Sequence, residues 1–231
     1  MSILTCVVFD LDDTLYIEED YVRSGFREVA GWLHQNSGVS GPDTFQELMG
    51  LFREGVQGRI FDIWLDRHPQ LITWVKVNQL VEVYRTHHPD IALLPGMLQV
   101  FSWLRNIEVG LSLITDGPLL SQERKATALE LTSWFSPLIF TDAWGKAFWK
   151  PHTRAFEDVM RLYGGPPQGL VYVGDNIQKD FVAPRRLGWR TVRLRIPGQL
   201  HYNREPEGVA FAAEAEVASL EQLTVLLRQW L

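Results

Sequence analysis

The sequence predicts an α/β fold: a doubly wound parallel sheet carrying an inserted α-helical domain. Short apolar runs alternate with stretches of helical periodicity, the pattern of repeated strand–helix units. Polar clusters follow successive apolar runs, at the strand ends where open parallel sheets bind ligands. One long interval, residues 16–94, has helical patterning and no convincing strand.

The first run, Ile3 to Phe9 (ILTCVVF), is nearly continuous in apolar residues, as expected for a strand covered on both faces. Within the interval that follows, Val22, Phe26, Val29 and Leu33 make one helical stripe. Phe45, Leu48, Met49 and Phe52 make a second, and Trp74, Val77, Val81 and Tyr84 a third. Leu94-Pro95-Gly96 reads as the exit hinge. The expected division is therefore a core of residues 1–15 and 95–231, with a helical insert at 16–94. In the core, Met97, Val100, Phe101 and Leu104 mark a helix, Val109–Thr115 a strand and Leu119–Leu129 a helix. A short strand at Leu138–Thr141 and a helix carrying Ala155, Phe156, Val159 and Leu162 follow. Leu170–Gly174 and Thr191–Ile196 supply two more strands. Pro197–Gly208 reads as a surface loop. The amphipathic tail from Val217 to Trp230 opens with Ser219 and Gln222 at capping-box spacing.

Composition excludes several classes. The chain has 231 residues, 46% hydrophobic, with 28 acidic against 22 basic residues and a net charge of −6. That balance argues against a nucleic-acid partner, which selects for basic faces. No apolar stretch reaches the length of a membrane span, and the first residues lack the pattern of a secretory leader, so a cytoplasmic protein is expected. The single cysteine, Cys6, rules out an intrachain disulfide and reads as a small buried hydrophobe. The insert's basic residues, among them Arg23, Arg27, Arg53 and Lys76, read first as solvated helix faces. Its tryptophans, Trp32, Trp64 and Trp74, read as packing residues rather than a stacking platform.

Four clusters carry the chemistry. Asp10-Leu-Asp12-Asp13-Thr14 places three carboxylates in four positions, a repulsion that a bound divalent cation relieves. Thr115-Asp116-Gly117-Pro118 leads from a strand toward a helix, where backbone N–H groups form an anion site. Lys150-Pro151 offers a point charge for a phosphate or carboxylate, with Lys146 as a competitor. Gly174-Asp175-Asn176, with Asp180 four residues on, presents hard oxygen donors suited to Mg²⁺. Taken singly, the aspartate clusters also fit ordinary turns.

Taken in order, the clusters resemble the four motifs of the haloacid dehalogenase superfamily of phosphotransferases: DxDx(T/V) at Asp10–Thr14, a strand-ending hydroxyl at Thr115, a lysine followed by proline at Lys150, and GDxxxxD at Gly174–Asp180. The resemblance implies a Rossmann-like core with an inserted α-helical cap of the C1 type. It implies a Mg²⁺-dependent phosphatase acting on a small phosphorylated metabolite, a sugar phosphate or nucleoside monophosphate, through an aspartyl-phosphate on Asp10. Asp12 would be the general acid and base; Thr115 and Lys150 would hold phosphate oxygens, with backbone amides near Asp12 and Asp116 completing the cradle. Asp10, Asp175 and the Asp12 carbonyl would hold the metal, with Asn176 and Asp180 in support. The acid at Asp12 favours phosphoryl transfer over dehalogenation, because a halide leaves without a proton. A phosphomutase and a non-catalytic binding module on the same fold are the alternatives, and the sequence leaves open whether the chain forms a homodimer.

Overall fold

Cys6, Val7, Val8 and Phe9 are wholly buried and form strand β1 (Cys6–Phe9) at the heart of the sheet. The computed structural model describes residues 4–231, so the expected start of this run at Ile3 lies outside the described residues. Among the described residues the sheet has six strands, all parallel: β1, β2 (Gly110–Thr115), β3 (Leu138–Phe140), β4 (Leu170–Gly174), β5 (Arg190–Leu194) and β6 (Ala215–Val217). Their order is β3-β2-β1-β4-β5-β6, so the chain moves outward from β1 in one direction and then returns to build the other side. That reversal is the topological switch point of a doubly wound sheet.

Alternation along β1 sends its residues to two different cores. Cys6 and Val8 join Ala155, Phe156 and Val159 of one helix (Arg154–Tyr163). Phe9 meets Phe101 of another (Met97–Asn106) edge-on at 5.8 Å. Helices therefore cover both faces, which is why β1 tolerates no polar residue. Each fully buried side chain of this size contributes about 1.5–3 kcal/mol relative to exposure.

The chain separates into two compact units, one made of the chain up to Glu19 with Ala92–Leu231, the other of Asp20–Ile91. These boundaries fall a few residues inside 16 and 94: Leu94 N–H still donates to Leu15 C=O at 2.8 Å, within the first unit. Helix α1 (Glu18–Ser37) runs into the second unit, which also contains α2 (Gly41–Arg53), α3 (Ile60–Asp66) and α4 (Val77–Thr86). Ser40 caps α2 by accepting from the Asp43 N–H. Phe26, Leu33, Leu48, Trp64 and Leu80 form this unit's own core. The indole N–H of Trp64 donates to Glu47 at 2.7 Å, so the buried ring leaves no donor unmet.

The core helices continue the count: α5 (Met97–Asn106), α6 (Leu119–Ala128), α7 (Arg154–Tyr163), α8 (Val182–Arg186) and α9 (Leu220–Arg228). Four expectations change. Trp74 is 78% exposed rather than packed, because extended backbone at Lys76 and a box with Gln79 start α4 only at Val77. Leu162 is also exposed, in the last turn of α7. Val217 belongs to the edge strand β6, and α9 starts after the Ser219 cap. Residues 197–208 are not simply a surface loop: Gln199 is buried, and its amide donates to the carbonyls of Asp13 and Leu194. Among the described residues no helix is long and apolar enough to cross a membrane.

Candidate active site

The register of three strands assembles the site. Phe9 lies beside Leu113 of β2 and Val173 of β4, and Asp10 N–H extends the ladder to Val173 C=O at 2.9 Å. Asp10, Thr115 and Asp175 therefore leave three neighbouring strands at the same edge. All three are buried.

Lys150 joins them from the segment between β3 and α7. Its ammonium lies 2.8 Å from Asp10 Oδ1, from Asp180 Oδ1 and from the Tyr172 hydroxyl. Burial alone would discharge this lysine; Asp10 and Asp180 instead hold its pKa well above the usual lysine range. Lys146, the competitor, lies over the Trp149 ring at 5.4 Å. Asp10 carries a pKa pushed up to about 6 by burial, a rise that Lys150 limits. Asp175 is pushed well above the carboxylate range by burial and then by Asp180 and Asp10.

Asp10, Asp175 and Asp180 offer carboxylate oxygens that all lie within 4.8 Å of one another. Asp175 Oδ2 is buried with no hydrogen-bond partner, while Oδ1 meets the Thr14 hydroxyl at 3.5 Å. A hard, multidentate oxygen set with one buried lone oxygen fits a divalent cation such as Mg²⁺. The Asp12 carboxylate is not in this cluster. It points to α6, where Lys125 meets Oδ1 at 2.7 Å and Gln122 donates to Oδ2 at 2.8 Å; from the segment after β1, the Tyr16 hydroxyl also binds Oδ1. Burial would raise its pKa, but Lys125 and these donors bring it below the usual value.

Three further predicted residues are braced by their neighbours. Asp180 Oδ2 accepts from the Asn176 N–H at 2.9 Å, closing the loop after β4. Asn176 accepts from Gln178 N–H and donates through Nδ2 to His201 at 2.9 Å. The Asp116 carboxylate accepts from Thr141 at 2.7 Å, from Lys150 N–H at 3.0 Å and from Lys179 at 3.2 Å. That carboxylate is a tether for the lysine segment; an anionic ligand near it would meet its backbone, not its side chain.

Comparison with known proteins decides the family. The model of the haloacid dehalogenase-like hydrolases matches residues 7–194. The chain belongs to the haloacid dehalogenase-like hydrolases. Among these hydrolases it is 27% identical over 203 residues to a glyceraldehyde 3-phosphate phosphatase of Methanocaldococcus jannaschii, covering 81% of this chain and 83% of that one. It is 28% identical over 207 residues to the enzyme of the same name from Methanopyrus kandleri, covering 83% and 84%. In fold it is similar to a HAD phosphatase from Thermococcus onnurineus, with a TM-score of 0.62 at 23% identity over 96% of this chain and 97% of that one. A Bacillus subtilis protein of the superfamily, bound to magnesium, matches with a TM-score of 0.65 at 17% identity, covering 97% and 99%.

Four residues of the candidate site are not marked by the sequence motifs: Tyr16, Gln122 and Lys125, which contact Asp12, and Lys179, which contacts Asp116. Gln122 and Lys125 lie on α6 and are buried, yet in sequence they look like the polar face of an ordinary helix. Gln122 Nε2 also meets the Thr115 hydroxyl at 2.6 Å and the Asp116 carbonyl at 2.8 Å, linking two motif residues to Asp12. The signal that could have found them is their three-residue spacing on the helix directly following Thr115, which aims both at one strand edge.

Proposed function

We propose that this hydrolase is a Mg²⁺-dependent phosphatase acting on a small phosphomonoester of the sugar-phosphate class through a covalent intermediate on Asp10. The single observation that carries the reading is the position of Lys150, within 2.8 Å of both Asp10 and Asp180 at the edge where Thr115 and Asp175 also emerge. A nucleophilic carboxylate, a fixed cation and a hydroxyl around one point are what phosphoryl transfer requires. The relatives named as glyceraldehyde 3-phosphate phosphatases support the sugar-phosphate class.

The chemistry follows from the side chains. Asp10 Oδ attacks phosphorus and forms an O–P bond as the ester P–O bond breaks; the departing oxygen keeps the electron pair and takes a proton from Asp12, which picks that proton up from solvent once the dianionic ester lies beside it and counters the pull of Lys125. Water then attacks phosphorus, Asp12 takes its proton, and the Asp10–phosphorus bond breaks to return a carboxylate and free phosphate. Lys150 and the Thr115 hydroxyl hold non-bridging oxygens, and Asp180 keeps Lys150 charged and aimed. Mg²⁺ bound by Asp10, Asp175 and the Asp12 carbonyl would neutralise phosphate charge so that one anion can approach another. Asp12, two residues past the nucleophile, gives the site the acid that an alcohol leaving group needs. The helical unit Asp20–Ile91 corresponds to the family's cap.

The test is phosphate release from p-nitrophenyl phosphate and from glyceraldehyde 3-phosphate by the purified chain. Release that stops with chelator, returns with Mg²⁺ and is lost in Asp10→Asn is the expected result. Full activity in Asp10→Asn would overturn the covalent route.

A further inference from the structure

The family motifs leave a buried charge on α6 without a task. Lys125, on α6, is 5% exposed and lies 2.7 Å from Asp12 Oδ1. A helix usually keeps a lysine in water, and burying an ammonium is costly unless a partner compensates it. The partner here is the residue proposed as acid and base. Tyr16 binds the same Oδ1, and Gln122 binds the other oxygen at 2.8 Å.

We infer that Lys125 is a positioning residue for proton transfer, gripping Asp12 Oδ1 so that Oδ2 is the oxygen that gives and takes the proton. This rests on the phosphatase reading above. A carboxylate offers about four lone-pair sites. Lys125 and Tyr16 occupy Oδ1, whereas Gln122 takes one site on Oδ2 and leaves that oxygen a lone pair. Gln122 also contacts the Thr115 hydroxyl at 2.6 Å, so the oxygen kept for the proton is tied to the group that would hold the phosphate. The carboxyl group is thus fixed in rotation and in distance from the reacting phosphorus. In the first step the proton passes from Asp12 Oδ2 to the departing alcohol oxygen, and Asp12 is left as the anion that Lys125 faces. In the second step the same oxygen takes a proton from water. Lys125 itself exchanges no proton with substrate.

The experiment compares two kinds of ester. A nitrophenolate leaves without a proton, whereas an alkoxide does not, so only alkyl esters need Asp12 in the step that kcat/KM reports. The probes are p-nitrophenyl phosphate, glyceraldehyde 3-phosphate and phosphoglycolate, with Asp12→Asn as the benchmark. We expect Lys125→Met to lower kcat/KM for the alkyl esters by about tenfold or more, part of the roughly 10²–10⁴-fold a placed acid supplies, and for the aryl ester by less than about twofold. Lys125→Arg should recover part of the alkyl loss. A uniform loss on both kinds of ester, or none, would show that Lys125 only supports the fold and would overturn the inference. Where Lys125→Met does not fold, Tyr16→Phe carries the test, since it removes one hydroxyl from the same oxygen: a loss biased to alkyl esters supports the inference, and an even loss or none overturns it. If the parent releases phosphate from no probe, the phosphatase reading falls and this inference with it. If the parent is active and the alkyl-to-aryl ratio does not move, this inference alone falls.

Discussion

The ammonium of Lys150 lies 2.8 Å from Asp10 Oδ1, and the same ammonium is 2.8 Å from Asp180 Oδ1, all three groups being buried. One cation thus faces two buried carboxylates and offsets one of their two charges, which makes it the main support for keeping them ionised inside the protein. Replacing it by methionine strands both. Lys150→Met is expected to cost about 3–5 kcal/mol of stability, the usual price of breaking a buried pair. Phosphate release should fall by about 10²-fold or more, as when an oxyanion donor is lost. Urea unfolding and a phosphate-release assay on the same preparation check both.

Gly174 ends β4 against Asp180. A Cβ there would sit 2.4 Å from Asp180 Oδ2, with the Asp180 side chain's other atoms close behind. Gly174→Ala must therefore push Asp180 away from Lys150. The expected outcome is a loss of about 1–3 kcal/mol, typical of overpacking, with activity falling more than stability. A urea midpoint and kcat, compared with those of Gly31→Ala, where a Cβ meets nothing within 4 Å, separate this from a general helix or strand effect.

Asp175 is held well above the carboxylate range by burial, then by Asp180 and Asp10. A carboxyl with a raised folded pKa contributes stability below its unfolded pKa and loses it as pH rises through the folded one. At neutral pH its charge is a burden that a cation would lift. Asp175→Asn should raise the melting temperature of metal-free protein by about 2–4 °C, the shift that roughly 1 kcal/mol gives a chain of this size. It should also abolish the further rise that Mg²⁺ gives the parent. Differential scanning fluorimetry with and without Mg²⁺ reads both effects.

His201 has a pKa held below its usual value, first by burial and then by Arg204. Its Nε2 faces the Asn176 amide nitrogen at 2.9 Å, a donor that suits a neutral ring. Unfolding frees the ring to take a proton at higher pH, so the unfolded chain binds more protons as pH drops below about 6.5. This histidine's contribution to stability is therefore lost as pH falls from there through the folded pKa. Urea midpoints between pH 7 and pH 5 should fall less steeply in His201→Gln than in the parent; parallel curves would show that the ring does not titrate as its surroundings dictate.

Cys6 is fully buried, and burial pushes its thiol up to about 12. Without thiolate or access it cannot react. Maleimide should label it only in denaturant, a contrast that mass spectrometry reads directly.

Much of the site was legible because a parallel sheet gathers strand ends. Asp10, Thr115 and Asp175 each follow an apolar run, so their meeting required only that the runs pair in register. Lys150 was legible through its motif, while the rival Lys146 was excluded only by its placement over Trp149. Strand β6 was missed because its three residues, Ala215–Val217, carry an exposed glutamate and too little pattern to mark an edge strand. Trp74 was misread because a stripe of apolar spacing does not reveal where a cap starts a helix.

By itself the sequence determined five strands of the sheet, the helical interval and the order of the chemical groups along the chain, because hydrophobic periodicity and strand-end chemistry are local properties. The tertiary structure alone decided which side chains serve Asp12. In sequence Lys125 and Gln122 look like solvated helix residues, and their spacing shows only that they share a face. They become part of the site only because α6 packs them into it, where water is excluded and each charge must find a partner.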